Sequence, residues 1–170
     1  GPVTVAAVIL KPHFFIAGLN DSKKVAPRRR EEIAKKIHET AVDISIVSLS
    51  PKEIDMRNIY AATMEAMYRA VRNLKIQPRA VIVDAMPLHF PVPSLSLVHG
   101  DAKSASVAAA SIVAKVHRDH LMDEYDKVYP GYGFSQNKGC DPNIGNHTDP
   151  QEKFRTGEEY GEWNIFIRYF

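Results

Sequence analysis

Ala80-Val81-Ile82-Val83-Asp84 is a short apolar run closed by an aspartate, and its reading decides the fold. Four apolar residues in succession, three of them β-branched, suit a strand buried on both faces rather than one alternating between core and solvent. Such a strand needs helices on either side, and helical patterns flank this one. Upstream, Ser50-Pro51-Lys52-Glu53 has the pattern of a capping box with proline at the first helical position. Ile59, Thr63, Ala66, Met67, Ala70, Val71 and Leu74 then form the stripe of a helix that is expected to be split near Asp55. Downstream, Ser94 to Val98 reads as a further strand ending at His99-Gly100-Asp101. Val107, Ala108, Ile112, Val116 and Met122 mark a long helix beyond it, running to about Tyr125. Strands and helices alternate, the pattern of an α/β fold.

Toward the start of the chain, Val3 to Leu10 is a β-branched and aliphatic run broken at Lys11-Pro12. Phe14 to Ala17 restarts it and is expected to return as a hairpin partner. Pro27 opens a charged helix with Ile33, Ile37 and Ala41 spaced by four, and Ile44 to Leu49 forms a strand. Within that helix Arg28-Arg29-Arg30 is followed by Glu31-Glu32, which reads as a solvated face more than as a nucleic-acid patch. The whole has 170 residues, 45% hydrophobic and 25% charged, in keeping with one globular domain. A formal net charge of +2 permits a nucleic-acid partner without requiring one. Cys140 is the lone cysteine, so no internal disulfide exists, and a reducing compartment is expected. No apolar run approaches the roughly 20 residues of a membrane span, and a cytoplasmic protein is expected.

Reactive groups of open α/β sheets gather beyond the carboxyl ends of the strands, where side chains leave the packed core but stay on rigid supports. Asp84 and Asp101 both fit that description. The alternative is structural: Asp84 starts a turn and Asp101 caps the helix that opens near Ser104. Lys115 and Asp119 are four apart, one turn on from Ser111, a spacing that either faces them to the reactive end or makes an ordinary ion pair. The seven histidines show no metal-binding spacing.

A longer succession of matches bears on these alternatives. Gly1-Pro2-Val3-Thr4-Val5-Ala6-Ala7-Val8, Asp21-Ser22-Lys23-Lys24, Glu53-Ile54-Asp55 with Asn58-Ile59 and Ala62-Thr63, and Val83-Asp84 occur in the order and spacing of ribonuclease HII. Gly100-Asp101-Ala102, the run Ala108 to Val116, Arg118-Asp119, Tyr129-Pro130, Tyr132-Gly133-Phe134 and Lys138-Gly139 continue it. Over residues 1 to about 139 the chain resembles the bacterial form of that family.

The resemblance implies an RNase H-like fold, a mixed sheet flanked by helices with a helical or irregular C-terminal part. It divides the chain into an RNase H-like domain at 1–139 and a divergent tail at 140–170 packed on the same domain. It implies hydrolysis of the RNA strand of RNA/DNA hybrids and nicking of duplex DNA 5′ to an embedded ribonucleotide, with two Mg²⁺ or Mn²⁺ ions at the scissile phosphate. Asp84 and Asp101 match two of the family's four metal-holding carboxylates. Ser22, Lys23 and Lys24 match its phosphate-contacting segment, Lys138 and Gly139 also fall to the nucleic acid, and Lys115 and Asp119 are candidates for supporting the metal centre. The other two carboxylates belong to an Asp-Glu pair on the family's first strand, in a motif running through Gly-Arg-Gly into the Gly-Pro-Val seen here as Gly1-Pro2-Val3. This sequence begins after that pair. Impaired hydrolysis is therefore expected, together with an unfilled place in the middle of the sheet whose exposed edges invite self-association. Cys140 stands where the family places a tyrosine against the ribose, so selectivity for ribonucleotides is expected to suffer too. The alternatives are a noncatalytic remnant that binds nucleic acid and a fragment without function of its own.

Overall fold

A computed structural model describes residues 1–13, 16–17, 19, 25–99 and 104–136, together with the backbone of 164–169. The elements are β1 (Val3–Ile9), α1 (Pro27–Thr40), β2 (Asp43–Leu49), α2 (Pro51–Asp55), α3 (Ile59–Arg72), β3 (Ala80–Asp84), β4 (Ser94–Leu97), α4 (Ala105–Val128) and β5 (Asn164–Tyr169). They build one five-stranded mixed sheet in the order β2-β1-β5-β3-β4.

Two apolar layers sandwich this sheet, one on each face. Alternate residues of β1 supply both: Ala6 and Val8 join Ile33, Ile37, Ile112 and Val113 under α1 and α4, whereas Val5, Ala7 and Ile9 join Ala66, Met67 and Ala70 of α3. Every residue of β1 is buried, which explains the lack of polar alternation in its sequence. The short run 80–84 behaves likewise, with Val81 and Val83 in the α3 layer and Ile82 in the other.

Ser50 caps α2 as its sequence pattern predicts. Its hydroxyl accepts from the Glu53 amide, and the Glu53 carboxylate accepts from the Ser50 amide at 2.9 Å. The expected break near Asp55 is present. Asn58, at φ 72°, then caps α3 by accepting from the Ala61 amide at 2.9 Å.

Three expectations are revised. The partner of β1 is β2, antiparallel from Val3↔Leu49 to Ile9↔Asp43, and the segment around Phe14 to Ala17 supplies no described strand. Ile16 instead packs as a single side chain into the layer under α1 and α4. Arg30 is not solvated with its neighbours, because it is buried between two helices while Arg28 and Arg29 stay with Glu32. The third concerns the middle of the sheet. Residues 164–169, placed by sequence in a helical or irregular tail, form β5, which pairs antiparallel with β1 and parallel with β3. The inner edges of β1 and β3, expected to lie open, are thus both hydrogen-bonded by the chain itself. The remaining open edges among the described strands are the outer ones of β2 and β4.

Candidate active site

Asp84 is the last residue of β3 and only 7% exposed. β3 and β4 run parallel, with Asp84 level with Leu97, so both strands deliver their carboxyl ends to the same edge of the sheet. Each then turns through a residue in the left-handed region, Ala85 at φ 55° and His99 at φ 57°. Neither is glycine, and left-handed backbone costs such residues about 1–2 kcal/mol. Strain of this kind gathers where a chain must hold a side chain in a set direction. The Ala85 amide donates to the Leu97 carbonyl at 2.9 Å and locks the turn.

The start of β1 lies at this same end. β5 aligns Ile167 with Val83 on one side and with Ala7 on the other, and β1 runs antiparallel to β3, so Val3 lies toward the same end of the sheet as Asp84. On α4, Arg118 Nε donates to the Pro2 carbonyl at 3.2 Å and secures that corner. Its neighbour Asp119 joins two cations: Lys115 Nζ on the same helix, and Arg30 Nη1 on α1 at 3.3 Å. Arg30 Nη2 also donates to the Val25 carbonyl at 2.9 Å, just ahead of α1. Lys115 and Asp119 do pair at their spacing of four, with Lys115 buried and Asp119 half-buried, and it is Asp119, through Arg30, that bridges α4 to α1.

Three comparisons place the chain among known proteins. The sequence pattern described as Ribonuclease HII matches residues 1–153. The chain belongs to the ribonuclease HII family. Ribonuclease HII of Limosilactobacillus fermentum is 52% identical over 139 residues, 82% of this chain and 54% of that protein. Ribonuclease HII of Lactobacillus johnsonii is 47% identical over 170 residues, all of this chain and 65% of that one. The chain thus spans between about half and two thirds of these relatives' lengths. Among solved structures, the ribonuclease H2 of Pyrococcus horikoshii OT3 superposes with a TM-score of 0.69 at 26% identity, over 78% of this chain and 72% of that one. The mixed sheet with helices on both faces is the RNase H-like architecture expected of ribonuclease HII.

Of the residues expected to act in a ribonuclease HII site, Asp84, Lys115 and Asp119 are described. Asp101, Ser22, Lys23, Lys24, Lys138, Gly139 and Cys140 lie outside the described residues. Asp84 offers the hard oxygen donor that Mg²⁺ or Mn²⁺ requires. Among the described residues, however, no three His, Cys, Asp or Glu side chains gather into a set able to hold a metal ion. Nor is any described helix long and apolar enough to cross a membrane.

Sequence reasoning did not foresee a cluster of ionisable groups between α1, β2 and α4. Glu31, Lys35, His38, His117 and His120 line a cleft of about 270 Å³, floored by Ile46 and Val113. His120 Nε2 meets Glu31 Oε1 at 2.8 Å. Burial holds His117 below the usual histidine range, with His120 and His38 acting in the same direction. None of the expected site residues lines this cleft. The signal in sequence was His117 and His120 three apart on α4, opposite Glu31 and His38 on α1, legible only once the two helices are known to be neighbours.

Proposed function

We propose that this chain carries nucleic-acid hydrolase chemistry of the ribonuclease HII kind, directed at the RNA strand of RNA/DNA hybrids and at ribonucleotides embedded in duplex DNA. The observation that carries the reading is Asp84, a nearly buried carboxylate at the end of a parallel strand pair, beside a strained turn. Its carboxylate offers the hard oxygens that divalent ions require, held on a rigid strand end. In this reading Asp84 and Asp101 hold divalent ions, Mg²⁺ or Mn²⁺. Such ions, when bound, supply an activated water and stabilise the leaving oxygen. Ser22, Lys23, Lys24, Lys138 and Gly139 contact the phosphate backbone without reading sequence, as lysines and small polar groups do. Lys115 and Asp119 support the site through their bridge to Arg30. Residues 1–139 and the tail act as one domain, joined through β5, and the cytoplasm is the proposed compartment.

A second reading is binding without cleavage, and the placement of β5 favours it. The middle of the sheet is filled by Asn164 to Tyr169, a segment that contributes no carboxylate next to Asp84. Both readings are tested by incubating the chain with a duplex containing one ribonucleotide and Mn²⁺, beside Asp84→Asn and Asp101→Asn. Nicking by the parent that each variant abolishes supports hydrolysis. Salt-dependent binding with no nicking in all three sinks it and leaves the binding role.

A further inference from the structure

The cleft between α1, β2 and α4 joins an apolar floor to a basic rim. Ala34 of α1, Ile46 of β2, and Val113 and Val116 of α4 make the floor. Lys35 and His38 stand on the α1 side of the rim and His117 and His120 on the α4 side, while β2 adds no ionisable group. Glu31 is the sole carboxylate among the lining residues, and it is engaged by His120 at 2.8 Å. Among the described residues, neither Lys35 nor His38 pairs with a carboxylate. The contact of Glu31 with His120 is one residue on from that of Arg30 with Asp119 along both helices, so the cleft opens directly beside the buried bridge.

Three imidazoles and an ammonium around an apolar hollow suit a ligand that is negative at one end and apolar at the other. Imidazoles exchange protons near neutral pH. While they are neutral, Lys35 and Glu31 balance, and once they are protonated the rim is strongly positive with one carboxylate to offset it. Burial, and then the nearness of His120 and His38, disfavour the charged form of His117. A bound anion supplies the missing countercharge, so its binding and proton uptake favour each other. The volume of about 270 Å³ limits the apolar part to a small ring or a short chain, being just under the roughly 300–1,000 Å³ usual for ligand clefts. Among the described residues these side chains form no set able to hold a metal ion, so an anion rather than a cation fits them.

We propose that this cleft binds a small organic anion, a carboxylate or phosphate on a short apolar body, with Lys35, His38 and His117 around the charge and Ala34, Ile46, Val113 and Val116 beneath the body. Bound there, such a ligand holds α1 to α4 from the solvent side, as Arg30 and Asp119 do from within. The inference goes beyond the hydrolase reading and does not rest on it, since no residue assigned to metal or nucleic acid lines the cleft.

The test uses the full chain with benzoate, phenyl phosphate, benzyl alcohol and inorganic phosphate as probes. Binding is read by calorimetry and by the NMR shifts of the histidine rings, at about pH 6 and about pH 8, on either side of the imidazole range. Benzoate or phenyl phosphate is expected to bind about tenfold more tightly at the lower pH and to move the ring signals of His38 and His117. The tighter of the two identifies the anionic group that the cleft takes. Lys35→Met and His38→Asn, both at exposed positions where folding is not at risk, are each expected to weaken that binding about threefold to tenfold at the lower pH. Benzyl alcohol binding as tightly as benzoate, or inorganic phosphate as tightly as phenyl phosphate, would overturn the proposal. So would affinity that ignores pH or survives both variants, and so would no binding of either organic anion. Asp84→Asn, which tests the hydrolase reading, is expected to leave benzoate binding unchanged, so the two readings fail separately.

Discussion

Arg30 of α1 and Asp119 of α4 are 89 residues apart in the chain and meet at 3.3 Å in the interior. Asp119 also receives Lys115, so one carboxylate answers two buried cations on two helices. Asp119→Ala is expected to destabilise the fold by about 3 kcal/mol, because breaking a buried pair from one side leaves charge uncompensated. Asp119→Asn keeps the shape and should cost less. Urea unfolding followed by circular dichroism measures both, and a loss under about 1 kcal/mol in the alanine variant would show that the bridge matters little.

Ala85 lies in the left-handed region directly after Asp84. Glycine enters that region without steric cost. Ala85→Gly should therefore raise stability by about 0.5 kcal/mol, the relief of about 1–2 kcal/mol being partly offset by the freer unfolded chain. The check is a higher thermal midpoint with an unaltered far-ultraviolet spectrum. A lower midpoint would mean that the turn relaxes at no cost with alanine in place.

Acid is expected to weaken this fold in two stages. Burial, then His120 and His38, keep His117 below its ordinary value of 6.5, so the unfolded chain takes up this proton first. Stability is fully present above 6.5 and declines as pH falls from there through the folded value. Backbone and side-chain hydrogen bonds from Ser50 lower Glu53, the bond from Arg69 lowers Glu65, and the Ser135 hydroxyl lowers Asp126. Their contribution is present above 4.5 for the glutamates and 3.8 for the aspartate, and is lost below those values. Urea midpoints between pH 7 and 3 record the two stages. His117→Asn should flatten the upper one alone, and an unchanged upper stage would count against the assignment.

Without residues 164–170 the chain should lose its tertiary structure. β1 pairs otherwise only with β2, and β3 only with β4, so removing β5 leaves two separate strand pairs, each with a bare inner edge. The expected signs are lost near-ultraviolet dichroism and strong dye binding by exposed apolar surface. A synthetic peptide of residues 164–170 should restore the spectrum; a truncated chain with native spectra on its own would refute the central role of β5.

What could be read from the sequence divides by distance along the chain. The Ser50 capping box, the break near Asp55 and the buried run ending at Asp84 all depend on neighbours within a few residues, and each stands where its pattern put it. Phe14 to Ala17 misled for the same reason: the local pattern suits a strand, but the better seven-residue partner of β1 arrives only at Asp43. Arg30 carries no local mark of burial, since its partner is on a helix that starts far downstream. β5 was hidden most deeply. Ile165-Phe166-Ile167 is apolar enough for a strand, yet nothing nearby says that its partners are Val5 to Ile9 and Ala80 to Val83. Of the candidate site, the strand end at Asp84 and the pairing of Lys115 with Asp119 were legible locally, whereas the link from Asp119 to Arg30 became visible only with the packing of α1 on α4.

The central strand of this sheet, β5, follows in sequence all four strands that it joins. Until residues 164–169 insert between them, the β1–β2 and β3–β4 pairs present bare inner edges. Contacts between segments far apart in sequence are slow to form, and open strand edges are where folding chains go astray into aggregates. The position of β5 thus makes the yield of folded protein, rather than its final stability, the quantity most exposed to temperature, expression rate and chaperone supply.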